Sequence, residues 1–129
     1  MKKILLISII LILAAYSNAQ NIIDQGTCGT SLTWVLTDDG RMTIGGSGNM
    51  TNYTTTSNPP WNSYLSQITS LQIGSSVTSI GNYAFYGCTG IPELILPSAV
   101  TSIGQNAFQS CSSLHKLTIL DASSSLYMY

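Results

Sequence analysis

The side chains able to do chemistry in this sequence are few, and their spacing decides what they can do. Three cysteines stand at Cys28, Cys88 and Cys111, one histidine at His115, and two adjacent aspartates at Asp38 and Asp39. A thiol beside an imidazole is the minimum for a Cys/His hydrolase, which makes Cys111 and His115 the formal nucleophile–base pair. Nothing around them in the sequence builds a groove. Metal binding lacks its usual spacing, because no Cys-x-x-Cys or His-x-x-x-His occurs. Asp38-Asp39-Gly40 reads as turn chemistry rather than a catalytic carboxylate pair. No phosphate loop, calcium loop or serine-nucleophile motif appears. The expectation is a protein that is not an enzyme and has no cofactor or metal.

Composition points the same way. The chain has 129 residues, 44% hydrophobic and only 7% charged, against roughly 25% charged in average domains. Ser, Thr, Asn and Gly must therefore wet its surface. Four basic residues cannot build the cationic patch that nucleic acid requires, and the apolar content excludes a disordered chain. The length suits one domain.

Residues 1–19 read as an export signal: Lys2-Lys3, the apolar run Ile4 to Ala15, then Ser17-Asn18-Ala19 before a cut at Gln20. The apolar run of about 12 residues is short of the ~20 needed for a spanning helix, which leaves an uncleaved membrane anchor as the lesser alternative. No other stretch is long enough, so no membrane span is expected after removal of the signal. In the remaining chain Arg41 and Lys116 face Asp24, Asp38, Asp39, Glu93 and Asp121. Two cations against five anions leave a formal −3, which does not steer toward anionic lipid or nucleic acid. The expected location is secreted or on the cell surface.

The strongest pattern is a repeat of 23 residues. Val77 to Cys88 returns as Val100 to Cys111 with eight of twelve positions identical. The same offset links Ile68, Ile91 and Leu114; Leu71, Leu94 and Leu117; and Ile73, Leu96 and Ile119. One such unit cannot enclose a core, but stacked units share one. Leu94-Ile95-Leu96 alternates with period two, as a short strand does, and Leu71-Gln72-Ile73 and Leu117-Thr118-Ile119 repeat it. Val77/Val100 and Ile80/Ile103 suit a second extended stretch. Gly81 and Gly104 permit the turn after it, and Ala84-Phe85 and Ala107-Phe108 suit a tight helical turn. The expected repeat core is Leu71, Ile73, Ile80, Phe85, Leu94, Leu96, Ile103, Phe108, Leu117 and Ile119.

The pattern Leu-x-x-Leu-x-Leu-Pro-x-x-Val-Thr-x-Ile-Gly-x-x-Ala-Phe-x-x-Cys resembles the BspA-type leucine-rich repeat of bacterial and protozoan surface proteins. Its best copy starts at Ile91 and carries Leu94, Leu96, Pro97, Val100, Ile103, Gly104, Ala107, Phe108 and Cys111. Gly26-Thr27-Cys28-Gly29, Leu32-Thr33-Trp34, Asp39-Gly40, Ile44, Gly48 and Pro60-Trp61 resemble the region before the repeats in that family. The resemblance covers residues 26–120. It implies a secreted or surface-attached leucine-rich-repeat solenoid, often linked to adhesion to host proteins or other cells, with no common catalytic residues. Ser123 stands where Val would recur and Leu126 falls on the Ile position. Residues 121–129 therefore read as an improvised cap or as the end of a fragment of a longer adhesin.

The expected fold is a mainly β leucine-rich-repeat solenoid with short helical turns. Residues 20–66 form an N-terminal capping region, a β-hairpin plus a polar loop, and residues 67–129 form two to three coils, the last incomplete. Leu32, Trp34 and Leu36 alternate into the hairpin, as do Met42 and Ile44. Trp34 is expected in the core, and Trp61 and Tyr64 packed on the first repeat. In the loop, Asn49-Met50-Thr51 and Asn52-Tyr53-Thr54 have the form of glycosylation acceptors, significant only in a host with that pathway. Cys88 and Cys111 occupy equivalent positions and read either as a buried ladder or as a disulfide. An odd cysteine count leaves at least one thiol free or intermolecular. His115 falls on the variable position of Pro92. With the core residues pointing inward, Ser70, Gln72, Glu93, Ile95, Lys116 and Thr118 point outward as the candidate binding face. The expected partner is an extracellular protein or glycan. The alternatives are self-association through the C-terminal coil, as a structural unit, or a non-functional fragment of a longer surface adhesin.

Overall fold

A computed structural model describes residues 20–121; the expected export signal and the segment 122–129 lie outside the described residues. Strand β1 (Ile22–Thr27) pairs antiparallel with β2 (Leu32–Thr37), and β2 with β3 (Arg41–Asn49). The expected hairpin is β2–β3, and β1 adds a third strand to it. The turn closes where Gly40 N donates to the Thr37 carbonyl. The Thr37 hydroxyl (2.7 Å) and Arg41 N (3.2 Å) donate to Asp39. The Thr37 bond leads in holding the Asp39 carboxyl below its ordinary range. Asp39 therefore serves the turn, while the Asp38 carboxylate accepts from Asn21 N and Nδ2 and ties the turn to the start of the cap.

Strand β3 joins this cap to the repeats. Its first half pairs parallel with β4 (Ser70–Ile73) and its second half with β5 (Ser76–Ile80). From there the 23-residue offset becomes hydrogen-bond register. Strand β5 pairs with β7 (Ser102–Ile103) as Ser79↔Ser102 and Ile80↔Ile103, and β6 (Glu93–Leu96) pairs with β8 (Lys116–Ile119) as Leu94↔Leu117 and Leu96↔Ile119. The molecule is a strand-rich repeat protein with parallel strands between successive units.

The segments expected as helical turns are chains of tight turns instead. Ala84 N, Tyr86 N and Cys88 N donate to the carbonyls three residues earlier, and Ala107 N, Gln109 N and Cys111 N repeat this. Alternate amides are thereby freed: Tyr83 N, Phe85 N and Gly87 N donate to the carbonyls of Gln105, Ala107 and Gln109 in the next unit. Left-handed backbone at equivalent positions makes this possible, φ +55° at Tyr83 and +56° at Asn106, +76° at Gly87 and +62° at Ser110. The helical segment among the described residues is a 3-10 turn, Asn62–Tyr64. Gly81 and Gly104 have a different reason from the one expected. Neither has positive φ, but a Cβ would stand 1.8 Å from Thr51 O at Gly81 and 2.3 Å from Asn82 N at Gly104. They let adjacent units approach. Beside them a side-chain ladder runs across units: Asn82 N donates to Asn52 Oδ1 and Gln105 N to Asn82 Oδ1.

A column of aromatic rings fills the core. Trp34 meets Trp61 edge-on at 5.6 Å, Trp61 stacks on Phe85 at 5.4 Å, and Phe85 stacks on Phe108 at 5.5 Å. Trp61 is fully buried, and its indole N–H donates to the Ala84 carbonyl at 2.8 Å. Tyr64 packs against the core and its hydroxyl donates to Asp24. Of the expected repeat core, Leu71, Ile73, Ile80, Phe85, Leu94 and Leu96 are buried and Phe108 is partly buried. Ile103, Leu117 and Ile119 differ from expectation: they are 45%, 51% and 64% exposed. Register puts them on the inward side with Ile80, Leu94 and Leu96, but no strand among the described residues covers them.

Phe85→Ala is expected to cost about 3–5 kcal/mol, and Phe108→Ala roughly half as much because its ring is only partly buried; urea unfolding of both variants checks the order. Burial pushes the Cys28 thiol up to about 11 and Cys88 to about 12, and burial with the neighbouring Cys28 pushes Tyr53 to about 12. The folded state keeps these protons while the unfolded chain releases them, so stability is full below the ordinary values and falls as pH rises toward 12. Thermal melts from neutral to alkaline pH should show a falling Tm above about pH 9.

Candidate binding face

The outward-facing set begins with strand alternation. On β4 and β6 the pattern is exposed–buried–exposed–buried, so Ser70, Gln72, Glu93 and Ile95 emerge on one face while Leu71, Ile73, Leu94 and Leu96 go inward. On β8, Lys116 and Thr118 share that face but are half-buried. Lys116 Nζ lies 3.7 Å from Glu93 Oε2, an exposed pair contributing about 0–1 kcal/mol. Ile95 is 50% exposed.

Strands β4 and β6 are neighbours but do not form a ladder: β4 belongs to the sheet of β3, and β6 pairs only with β8. The cause is legible in the backbone. At the β3–β4 junction the ladder is clamped at its ends by Thr69 N to Gly40 O and Gly74 N to Ile44 O. At the β6–β8 junction the equivalent bonds are His115 N to Pro92 O and Leu120 N to Leu96 O. At the β4–β6 junction the residues in those two places are Pro92 and Pro97, and proline has no N–H to give. The two clamps are lost together.

The strands part into a cleft of about 510 Å³, lined by Arg41, Ser70, Gln72, Glu93, Ile95 and Leu120 over a floor that includes Leu71 and Ile73. The cleft unites four of the six expected face residues, whereas Lys116 and Thr118 lie outside it. Sequence reasoning missed Arg41 and Leu120. Arg41 pairs in register with Ser70 through β3, a contact across 29 positions that the 23-residue offset does not reveal. The cleft thus sets a cation, a carboxylate, a carboxamide, a hydroxyl and an aliphatic side chain around an open strand edge. Such a set offers polar, charged and aliphatic contacts, and no histidine or thiol stands among its lining residues to activate the Ser70 hydroxyl.

The formal hydrolase pair is not assembled. Cys111 Sγ donates to the Phe85 carbonyl at 3.2 Å, and His115 Nδ1 lies 2.9 Å from Ser113 O. Burial raises the Cys111 thiol, the opposite of the activation a nucleophile needs. All three cysteines are free thiols. Among the described residues no group of three or more His, Cys, Asp or Glu is placed to hold a metal, and no helix is long and apolar enough to cross a membrane.

Comparison with known proteins agrees with this architecture. A model of the BspA type leucine rich repeat region (six copies) matches residues 62–129. A crystal structure of a leucine-rich repeat protein from Eubacterium ventriosum is similar, with 35% identity and a TM-score of 0.67 over 75% of this chain and 26% of that one. The chain thus spans about a quarter of the length of that relative. No curated protein matches it.

Replacing Pro92 and Pro97 by the His and Leu of the following unit should restore both donors and close the cleft. Hydrogen exchange checks this: the new amides at 92 and 97 are expected to be as slow as those of His115 and Leu120.

Proposed function

The chain belongs to the BspA-type leucine-rich-repeat family, and from that premise we propose that it is an exported binding module. Its strand face, Ser70, Gln72, Glu93, Ile95, Lys116 and Thr118, takes an extracellular protein or glycan in adhesion. The family is typical of bacterial surface proteins, and its repeats are generally non-catalytic binding modules. In this reading residues 1–19 direct export, residues 20–66 cap the array, and residues 67–129 wind as a solenoid with no catalytic role. The observation that carries it is the cleft between β4 and β6, where the repeat gives up backbone pairing and opens a polar, partly apolar recess. A standard protein interface needs about 800 Å² per partner, so the cleft acts with the strand surface around it. Beads coated with the protein, scored for retention on cell layers and immobilised extracellular proteins, test the reading. Ile95→Arg and Gln72→Arg are each expected to lower retention about tenfold or more, with unchanged Tm. Retention equal to wild type in both variants overturns it.

A second reading, self-association as a structural unit, is favoured by the exposure of Ile103, Leu117 and Ile119 in the last described strands. Light scattering over a concentration series separates the two. Oligomers that vanish in the Leu117→Lys, Ile119→Lys double variant support assembly, and a monomer at every concentration refutes it.

A further inference from the structure

A second recess lies away from the strand face, where the polar loop of the cap meets the tight turns of the first repeat. It has about 290 Å³ and is lined by Thr54, Thr55, Asn58, Pro59, Asn62, Leu65, Tyr83, Tyr86 and Gly87. We propose that this recess binds a single neutral pyranose ring of a glycan, stacked on Tyr83 and Tyr86 and hydrogen-bonded by Asn58 and Asn62. The proposal does not depend on the strand face, since the two recesses share no residue.

Five observations converge on it. The Tyr83 and Tyr86 rings lie 5.9 Å apart and are tilted by 49°, which leaves a wedge with an aromatic face. The electron-rich face of such a ring attracts the weakly positive C–H groups on one side of a sugar. The lining contains no charged residue, which suits a neutral ligand and disfavours phosphate or carboxylate. Among the described residues, the side chains of Asn58 and Asn62 and the hydroxyls of Tyr83 and Tyr86 have no hydrogen-bond partner. Two carboxamides and two phenols are thus available around one apolar patch, the pairing that orients a polyhydroxylated ring.

The rim is also built in advance. Thr54 N donates to the Ser57 carbonyl, and Ser57 N and Thr56 N donate to Thr54 Oγ1. A loop so fixed loses little freedom when a ligand arrives.

The tyrosines themselves are the fifth observation. The repeat does not require them, because the equivalent positions in the next unit are Asn106 and Gln109. Position 83 has left-handed backbone, φ +55°, which asparagine adopts with less strain than a bulky aromatic residue. Tyr86 is 43% exposed. Tyr83 packs in part against the core, but the exposed ring of Tyr86 is required neither by the repeat nor by the core, and it completes the aromatic wall of the recess. A proline-rich peptide also stacks on tyrosine. However, it needs a row of successive slots, whereas this recess is one slot near the lower limit of about 300 Å³ for small-molecule sites.

Saturation-transfer NMR on the protein, with the methyl pyranosides of glucose, galactose, mannose and N-acetylglucosamine as separate probes, tests the proposal. At least one is expected to bind with a Kd of about 1 mM. Tyr86→Ala should weaken it about tenfold or more at unchanged Tm, while Tyr86→Phe keeps most of the affinity. Tyr83→Asn relieves the backbone and should keep or raise Tm while also losing the sugar. Absence of transfer from all four probes at about 10 mM, equal binding by wild type and Tyr86→Ala, or a decaproline peptide that binds where the sugars do not would each overturn it.

Discussion

The structure depends on face-to-face contact between planar rings in successive units. Trp61, Phe85 and Phe108 lie nearly parallel, with interplanar angles of 15° and 11°, and Trp34 closes the cap end edge-on. Stacked rings fix both the spacing between units and their rotation, because an offset stack tolerates little of either. The indole N–H of Trp61 then ties the column to the backbone at Ala84. Trp61 stands where a preceding unit would place its phenylalanine, so the cap imitates a repeat at its centre while its strands run antiparallel outside.

Backbone pairing is distributed unevenly around that column. On the turn side alternate amides from Tyr83 to Gly87 donate without interruption to the next unit. On the strand side the pairing breaks between β4 and β6, because prolines occupy both clamp positions. The units are therefore joined by hydrogen bonds at the turns, while on the strand side the β4–β6 junction lacks them. On the function proposed above, recognition would use the region where the scaffold asks least of its residues.

Much of this was legible in the sequence, and the limits have physical causes. The 23-residue offset translated directly into the registers of β5–β7 and β6–β8, since identical units at constant spacing must pair equivalent residues. Burial of Trp34 and Trp61 followed from alternation and from the need to close the first unit. What the offset could not show was contact outside the repeat. Strand β1 was missed because Ile22-Ile23-Asp24-Gln25 does not alternate cleanly, and its place at the sheet edge leaves both isoleucines exposed. Arg41 reached the cleft through the cap strand, not through a repeat position. Ile103, Leu117 and Ile119 carried the right residue types for a core, but burial depends on what lies above as well as on side-chain direction. The glycines at 81 and 104 were read as turn formers when their role is to admit a neighbouring backbone, a distinction invisible without coordinates. The tight turns replaced a helix because alternate amides there serve the adjacent unit.

The carboxamide rungs that link Asn52, Asn82 and Gln105 have a consequence for how such a chain changes over generations. Each rung reaches only one unit ahead, and its partner is a backbone amide, which every residue except proline supplies. Tandem duplication of 23 residues by unequal recombination therefore inserts a new step without rewriting the steps on either side. Lineages can lengthen or shorten the array in whole units, while a shift of one or two residues inside a unit breaks the rung and the ring stack together.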